Sequence, residues 1–79
     1  MENKEKYQKV FMDSFSLKED QLNEKLVYES VSDWDSVGHM GMIAELEEVF
    51  NIELETDDII DFSSYEKGKE ILNKYDVNI

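Results

Sequence analysis

Apolar residues recur at helical spacing along most of the chain. Tyr7, Val10, Phe11 and Phe15 fall at i, i+3, i+4 and i+8, which predicts a first helix over roughly residues 3 to 15. From Ser16 to Trp34 the periodicity weakens, leaving a long loop anchored by Leu17, Leu22, Leu26, Val27 and Val31. A second helix is expected from Ser36 to Phe50. At 100° per residue, His39, Met42, Ile43, Leu46, Val49 and Phe50 share the arc that would face a core. The opposite side carries Val37, Met40, Gly41, Ala44, Glu47 and Glu48, with Glu45 at its margin. Thr56-Asp57-Asp58 offers a cap and two first-turn acids to a short third helix anchored by Ile59, Ile60 and Phe62. Ser63 and Glu66 fit a capping box opening a last helix that runs to about Tyr75. Its inward residues are Tyr65, Ile71, Leu72 and Tyr75. Gly68 costs that helix ~1 kcal/mol relative to alanine, which implies either close packing or simple tolerance. The expected fold class is all-α: a small four-helix bundle, three helices longer and one short, with a long first loop.

Composition narrows the picture. Seventy-nine residues make one small domain, 1–79, which buries only ~60% of its unfolded surface and is expected to be marginally stable. Proline is absent, in keeping with an all-α chain. Cysteine is also absent, which removes disulfides, thiolate catalysis and thiolate metal sites together. One histidine, His39, rules out a histidine-rich metal site. No run of 18 apolar residues exists, and Met1-Glu2-Asn3-Lys4-Glu5 has no apolar stretch of signal-peptide type. A soluble cytoplasmic protein is the expectation.

The net charge of −12 is unevenly distributed. Between Lys25 and Lys67 there are twelve acids, among them Asp33, Asp35, Glu45, Glu47, Glu48 and Asp58, and no Lys or Arg. The remaining acids and lysines cancel, so the whole net charge lies on the central segment. Such a field disfavours nucleic acid and anionic membrane and favours basic protein surfaces. Mutual repulsion is expected to raise these carboxylates' pKa values in the folded state, so that stability rises as pH falls from 7 toward 5.

The same segment holds Trp34-Asp35-Ser36-Val37-Gly38-His39-Met40. Here Asp35 can cap a helix that starts at Ser36, where first-turn N–H groups and the macrodipole favour a bound phosphate. These seven residues resemble the phosphopantetheine attachment site of acyl carrier proteins, whose hallmark is Asp-Ser-Leu or a near variant. Val37 replaces the usual leucine and keeps an apolar side chain beside the serine. The resemblance runs from about Tyr7 to Tyr75 and implies a long first loop. Many carriers have an acid where Gly41 stands, so one charge contact is missing here.

What the resemblance implies is a non-enzymatic carrier that holds 4'-phosphopantetheine covalently on Ser36. A phosphopantetheinyl transferase would attach the arm, with Asp35 helping to place the transferase's magnesium. Acyl or aminoacyl groups would ride on the arm as thioesters, the sulfur being the cofactor's. Partner enzymes that load and unload the cargo would dock through basic surfaces. The outward face of Val37, Met40, Gly41, Ala44, Glu47 and Glu48 resembles a docking surface with an apolar centre and charged rim. Gly38 and Gly41 would leave it smooth. Gly38-His39-Met40 and the length look like stand-alone bacterial carriers of secondary, polysaccharide or amino-acid pathways, acting as monomers. Met42, Ile43, Leu46, Phe50, Phe62 and Ile71 are candidates either for a chain-sheltering cavity or for plain core.

Three other readings compete. A Ser36–His39 nucleophile pair lacks a Gly-x-Ser-x-Gly elbow, and His39 falls on the core arc as a satisfied, partly buried residue. Asp33-x-Asp35-x-Val37-Gly38 matches positions one, three and six of a calcium loop, but Val37 and Ala44 occupy ligand positions. Neither a catalytic nor a metal site is therefore expected. The alternative function is an unmodified acidic adaptor that docks on basic partner proteins.

Overall fold

The computed structural model describes residues 2–79. Helix α1 spans Asn3–Phe15 and buries Tyr7, Val10, Phe11 and Phe15, the four residues whose spacing marks it. It stops at Ser16, which turns left-handed at φ 54°, and the N–H groups of Ser16 and Leu17 both go to the Met12 carbonyl. Helix α2, Ser36–Phe50, ends the same way at Asn51, φ 54°, a residue type that tolerates this region. Its buried residues are Met42, Ile43 and Leu46, while His39, Val49 and Phe50 are half-buried at the edges of the same stripe. The α1–α2 contact is the principal helix pairing.

Between them lies the long loop, with one 3-10 turn at Glu19–Gln21. Two backbone bonds tie it to the far end of the chain: Tyr28 N–H to the Ser63 carbonyl (2.8 Å) and Tyr65 N–H to the Leu26 carbonyl (2.9 Å). This isolated antiparallel bridge at Val27 and Ser64 turns Leu26 into the core and Val27 outward. Val27 is 40% exposed and is no anchor, whereas Leu17, Leu22 and Val31 do pack against the core.

Helix α3 is a short piece, Thr56–Asp61, and α4 runs Tyr65–Asn73. The N-cap of α3 is Glu55, with no side-chain bond, and Thr56 is already helical. Ile59 and Phe62, three apart, face inward; Ile60, about 100° away, is 72% exposed and is not a core anchor. The cap of α4 also sits one residue later than the serine–glutamate spacing predicts. Ser64 Oγ accepts from Lys67 N–H at 2.9 Å, while Ser63 gives its carbonyl to Tyr28. Gly68 is buried, and a Cβ there would fall on the Tyr7 hydroxyl and the Phe62 ring, so close packing explains it.

The core is aromatic at its centre. Phe11 meets Tyr7, Phe15, Trp34 and Tyr65 edge-to-face at ring separations of 4.9–5.7 Å and stacks on Phe62 at 6.2 Å. Trp34, in the loop just before α2, is fully buried. The result is a four-helix bundle with three longer helices, one short one and a long first loop, and no strand among the described residues.

Candidate functional site

Ser36 is exposed and is the first residue of the fifteen-residue α2. Asp35 caps the helix: its Oδ1 accepts from Gly38 N–H at 2.8 Å. Its carbonyl accepts from His39 N–H at 2.7 Å. The turn before it is held by Glu29 N–H to the Trp34 carbonyl, 3.0 Å, and Trp34 N–H to the Val31 carbonyl, 3.1 Å. The serine thus stands on a rigid helix start with a partial positive charge behind it.

Gly38 belongs to this construction. A Cβ there would land on the backbone carbonyl of Asp33, so its role is to let the turn close on the helix rather than to smooth a surface. Gly41 differs, because nothing lies within 4 Å of its Cβ position.

His39 has both ring nitrogens engaged. Trp34 Nε1–H donates to Nδ1 at 2.9 Å, and Nε2 lies 2.8 Å from the Ile59 carbonyl of α3. The indole can only donate, so Nδ1 accepts and Nε2 carries the proton that goes to Ile59. Neither nitrogen is free to take a proton from Ser36, which closes the Ser–His reading. The satisfied, partly buried histidine read from the helix wheel is what the structure contains.

Beside Ser36 opens a cleft of about 360 Å³, lined mainly by Ser36, His39, Met40, Ile59, Ile60 and Phe62. Met42, Ile43 and Leu46 are sealed in the core instead. Met40 (53% exposed) and Ile60 present apolar surface at the cleft, and Val37, next to Ser36 in the chain, is 80% exposed. Gly41, Ala44, Glu45 and Glu48 continue the exposed face of α2. Glu47 departs from that face. It is half-buried, and its Oε2 accepts from Leu54 N–H at 2.9 Å, so it holds the α2–α3 connection rather than waiting for a partner. Ile60, which helical spacing places in the core, instead lines this cleft.

The far side of α3 is tied by Asp58, buried at 7% exposure. Lys74 Nζ and the Tyr75 hydroxyl each donate to its carboxylate at 2.5 Å. The Lys74 bond, then the Tyr75 bond, hold the Asp58 carboxyl below the usual aspartate range. Asp58 was expected to rise with its acidic neighbours, and it moves the other way because the Lys74 and Tyr75 donors outweigh the cost of desolvation there. The same contact raises the Lys74 and Tyr75 values. Tyr75 Oη also accepts from Glu55 N–H at 3.0 Å, closing the N-terminus of α3.

Among the described residues, no three His, Asp or Glu side chains converge as metal ligands, and no helix is long and apolar enough to cross a membrane. No protein-family model, curated protein or solved structure matches the chain.

Proposed function

We propose that this chain is an acyl carrier protein, a non-enzymatic carrier modified on Ser36 by 4'-phosphopantetheine. The observation that carries the reading is the placement of Ser36. It is an exposed hydroxyl at the Asp35-capped start of α2, opening onto an apolar cleft. When bound, the arm supplies a thiol on which acyl or aminoacyl groups travel as thioesters. Ser36 Oγ attacks the phosphorus next to the pantetheine half of coenzyme A. The new P–O bond forms as the pyrophosphate P–O bond breaks, and 3',5'-ADP leaves. The serine proton goes to a base of the transferase, since His39 has no free nitrogen. Asp35 keeps one carboxylate oxygen beyond its capping bond with which to help hold the transferase's magnesium. The helix dipole favours the phosphodiester product.

The surface around the serine suits a partner with a basic rim and an apolar centre: Val37, Met40, Gly41 and Ala44 with Ile60 at the middle, Glu45 and Glu48 at the margin. Partners would be the transferase and the enzymes that load and unload the arm. The carrier would act as a cytoplasmic monomer.

Incubation with coenzyme A, magnesium and a promiscuous phosphopantetheinyl transferase tests the assignment. The intact mass should rise by one phosphopantetheine, and Ser36→Ala should abolish the gain while the thermal melt stays cooperative. A wild-type chain that gains no mass, or a modified Ser36→Ala chain, overturns the assignment. A chain that stays unmodified yet binds a basic protein would be an acidic adaptor.

A further inference from the structure

Helix α3 has six residues, and its two sides are fastened differently. Toward α4 it is held by the Asp58 contacts with Lys74 and Tyr75. Toward α2 a side-chain tie is the bond from His39 Nε2 to the Ile59 carbonyl, next to the exposed Ile60. The other nitrogen of the same ring receives the indole N–H of Trp34, two residues before Ser36. Its ring also lies parallel to the indole, at 11° and 6.3 Å between centroids. One imidazole therefore joins the serine turn to the helix across the cleft.

We infer that His39 is a positioning residue for the modification of Ser36, its Nε2 bond clamping α2, which carries the serine, and α3 into one surface that the transferase meets as a unit. The inference rests on the carrier reading. Val37 and Met40 come from α2 and Ile60 from α3, so a partner touching all three needs the two elements in fixed register. Without the clamp, docking must order α3 first, and that cost appears in KM. The chemistry at Ser36 Oγ is left alone, because His39 does not reach the serine with a free nitrogen.

The two halves of the clamp can be separated. Asparagine places an amide near the Nδ1 position and keeps an acceptor for Trp34. Glutamine places one near Nε2 and keeps a donor for Ile59. Trp34 is the single tryptophan, so its emission reports the first bond without interference.

The experiment measures transferase kinetics, tryptophan emission and thermal melts for wild type, His39→Asn, His39→Gln and His39→Ala. His39→Asn should keep the emission of wild type but raise KM for the carrier by about fivefold, with kcat within about twofold. His39→Gln should shift the emission yet hold KM near wild type. His39→Ala should show both changes, with KM about tenfold higher. A merely structural role would lower all three melts without this crossed pattern. A wild type that takes no arm overturns the carrier reading and the clamp with it. A modified wild type whose His39→Asn variant has unchanged KM overturns the clamp alone.

Discussion

The Tyr7 hydroxyl donates to the Tyr65 carbonyl at 2.6 Å, joining α1 to α4 across 58 positions of sequence beside the Cα of Gly68. Tyr7 is fully buried, and that burial raises its phenol well above the ordinary tyrosine value, so it remains a donor at any working pH. A methyl group on Gly68 would displace both this hydroxyl and the Phe62 ring. Gly68→Ala should therefore destabilise by about 1–3 kcal/mol despite its better helix propensity. Tyr7→Phe should cost about 0.5–1.5 kcal/mol through the lost bond. Urea melts of the two variants check both values, and a Gly68→Ala protein at least as stable as wild type would contradict the packing account.

The two glycines of α2 should respond in opposite directions. Gly41 faces open space, so Gly41→Ala should stabilise by up to about 1 kcal/mol through helix propensity. Gly38→Ala meets a backbone carbonyl that cannot swing aside, and the turn leading to Ser36 must shift. A loss of about 1–3 kcal/mol is expected, with slower modification of the serine. Thermal melts paired with transferase assays distinguish the two sites.

Helix bounds were legible where apolar spacing and a cap coincide. Asn3–Phe15 and Ser36–Phe50 match their expected limits because Tyr7, Val10, Phe11 and Phe15 mark one stripe, Met42, Ile43 and Leu46 mark another, and Asp35 punctuates the second start. Residues whose role depends on a distant segment were not legible. Glu47 lies outward on a helical wheel, but the chain returns with Leu54 N–H to meet it. Ile60 reads as an anchor until the brevity of α3 leaves only Ile59 and Phe62 room to face inward. Gly38 and Val27 depend on the Asp33 carbonyl and the Ser64 bridge, neither of which has a local signature. The capped start of α2 at Asp35 and Ser36 is a local pattern and was legible. The cleft beside it is built from three separate stretches and was not.

Asp58 should contribute to the loss of stability in acid. Its carboxyl is depressed first by the Lys74 bond and then by the Tyr75 bond. The unfolded chain thus binds its proton at higher pH than the native chain, near the ordinary aspartate value of about 3.9. The Asp58 contribution is complete above that value and is lost as pH falls through the depressed folded one. Between pH 7 and 5 it is constant. Asp58→Asn keeps an acceptor for Tyr75 but removes the titration, so its melting midpoint should lose part of the wild-type fall below about pH 4. Parallel acid titrations followed by circular dichroism measure the difference, and superimposable slopes would show that Asp58 does not link to folding.

Charge reversal at Glu47 and Glu48 should separate stability from docking, although the two residues are adjacent. Glu48 is exposed on the α2 face, so Glu48→Lys should change stability by no more than about 0.5 kcal/mol. It should slow association with a basic partner and flatten the dependence of that rate on salt, because steering by exposed charge is screened. Glu47→Lys removes the carboxylate that accepts from Leu54 N–H, and should cost about 1.5–3 kcal/mol. Glu47→Gln retains an oxygen at the same reach and should recover most of that loss, showing that the acceptor rather than the charge is what the α2–α3 connection requires. Stopped-flow association over a range of ionic strength, beside urea melts, reads both effects. If Glu47→Lys melts like wild type and slows docking as much as Glu48→Lys, both carboxylates belong to the partner surface and the Leu54 contact contributes nothing to the fold.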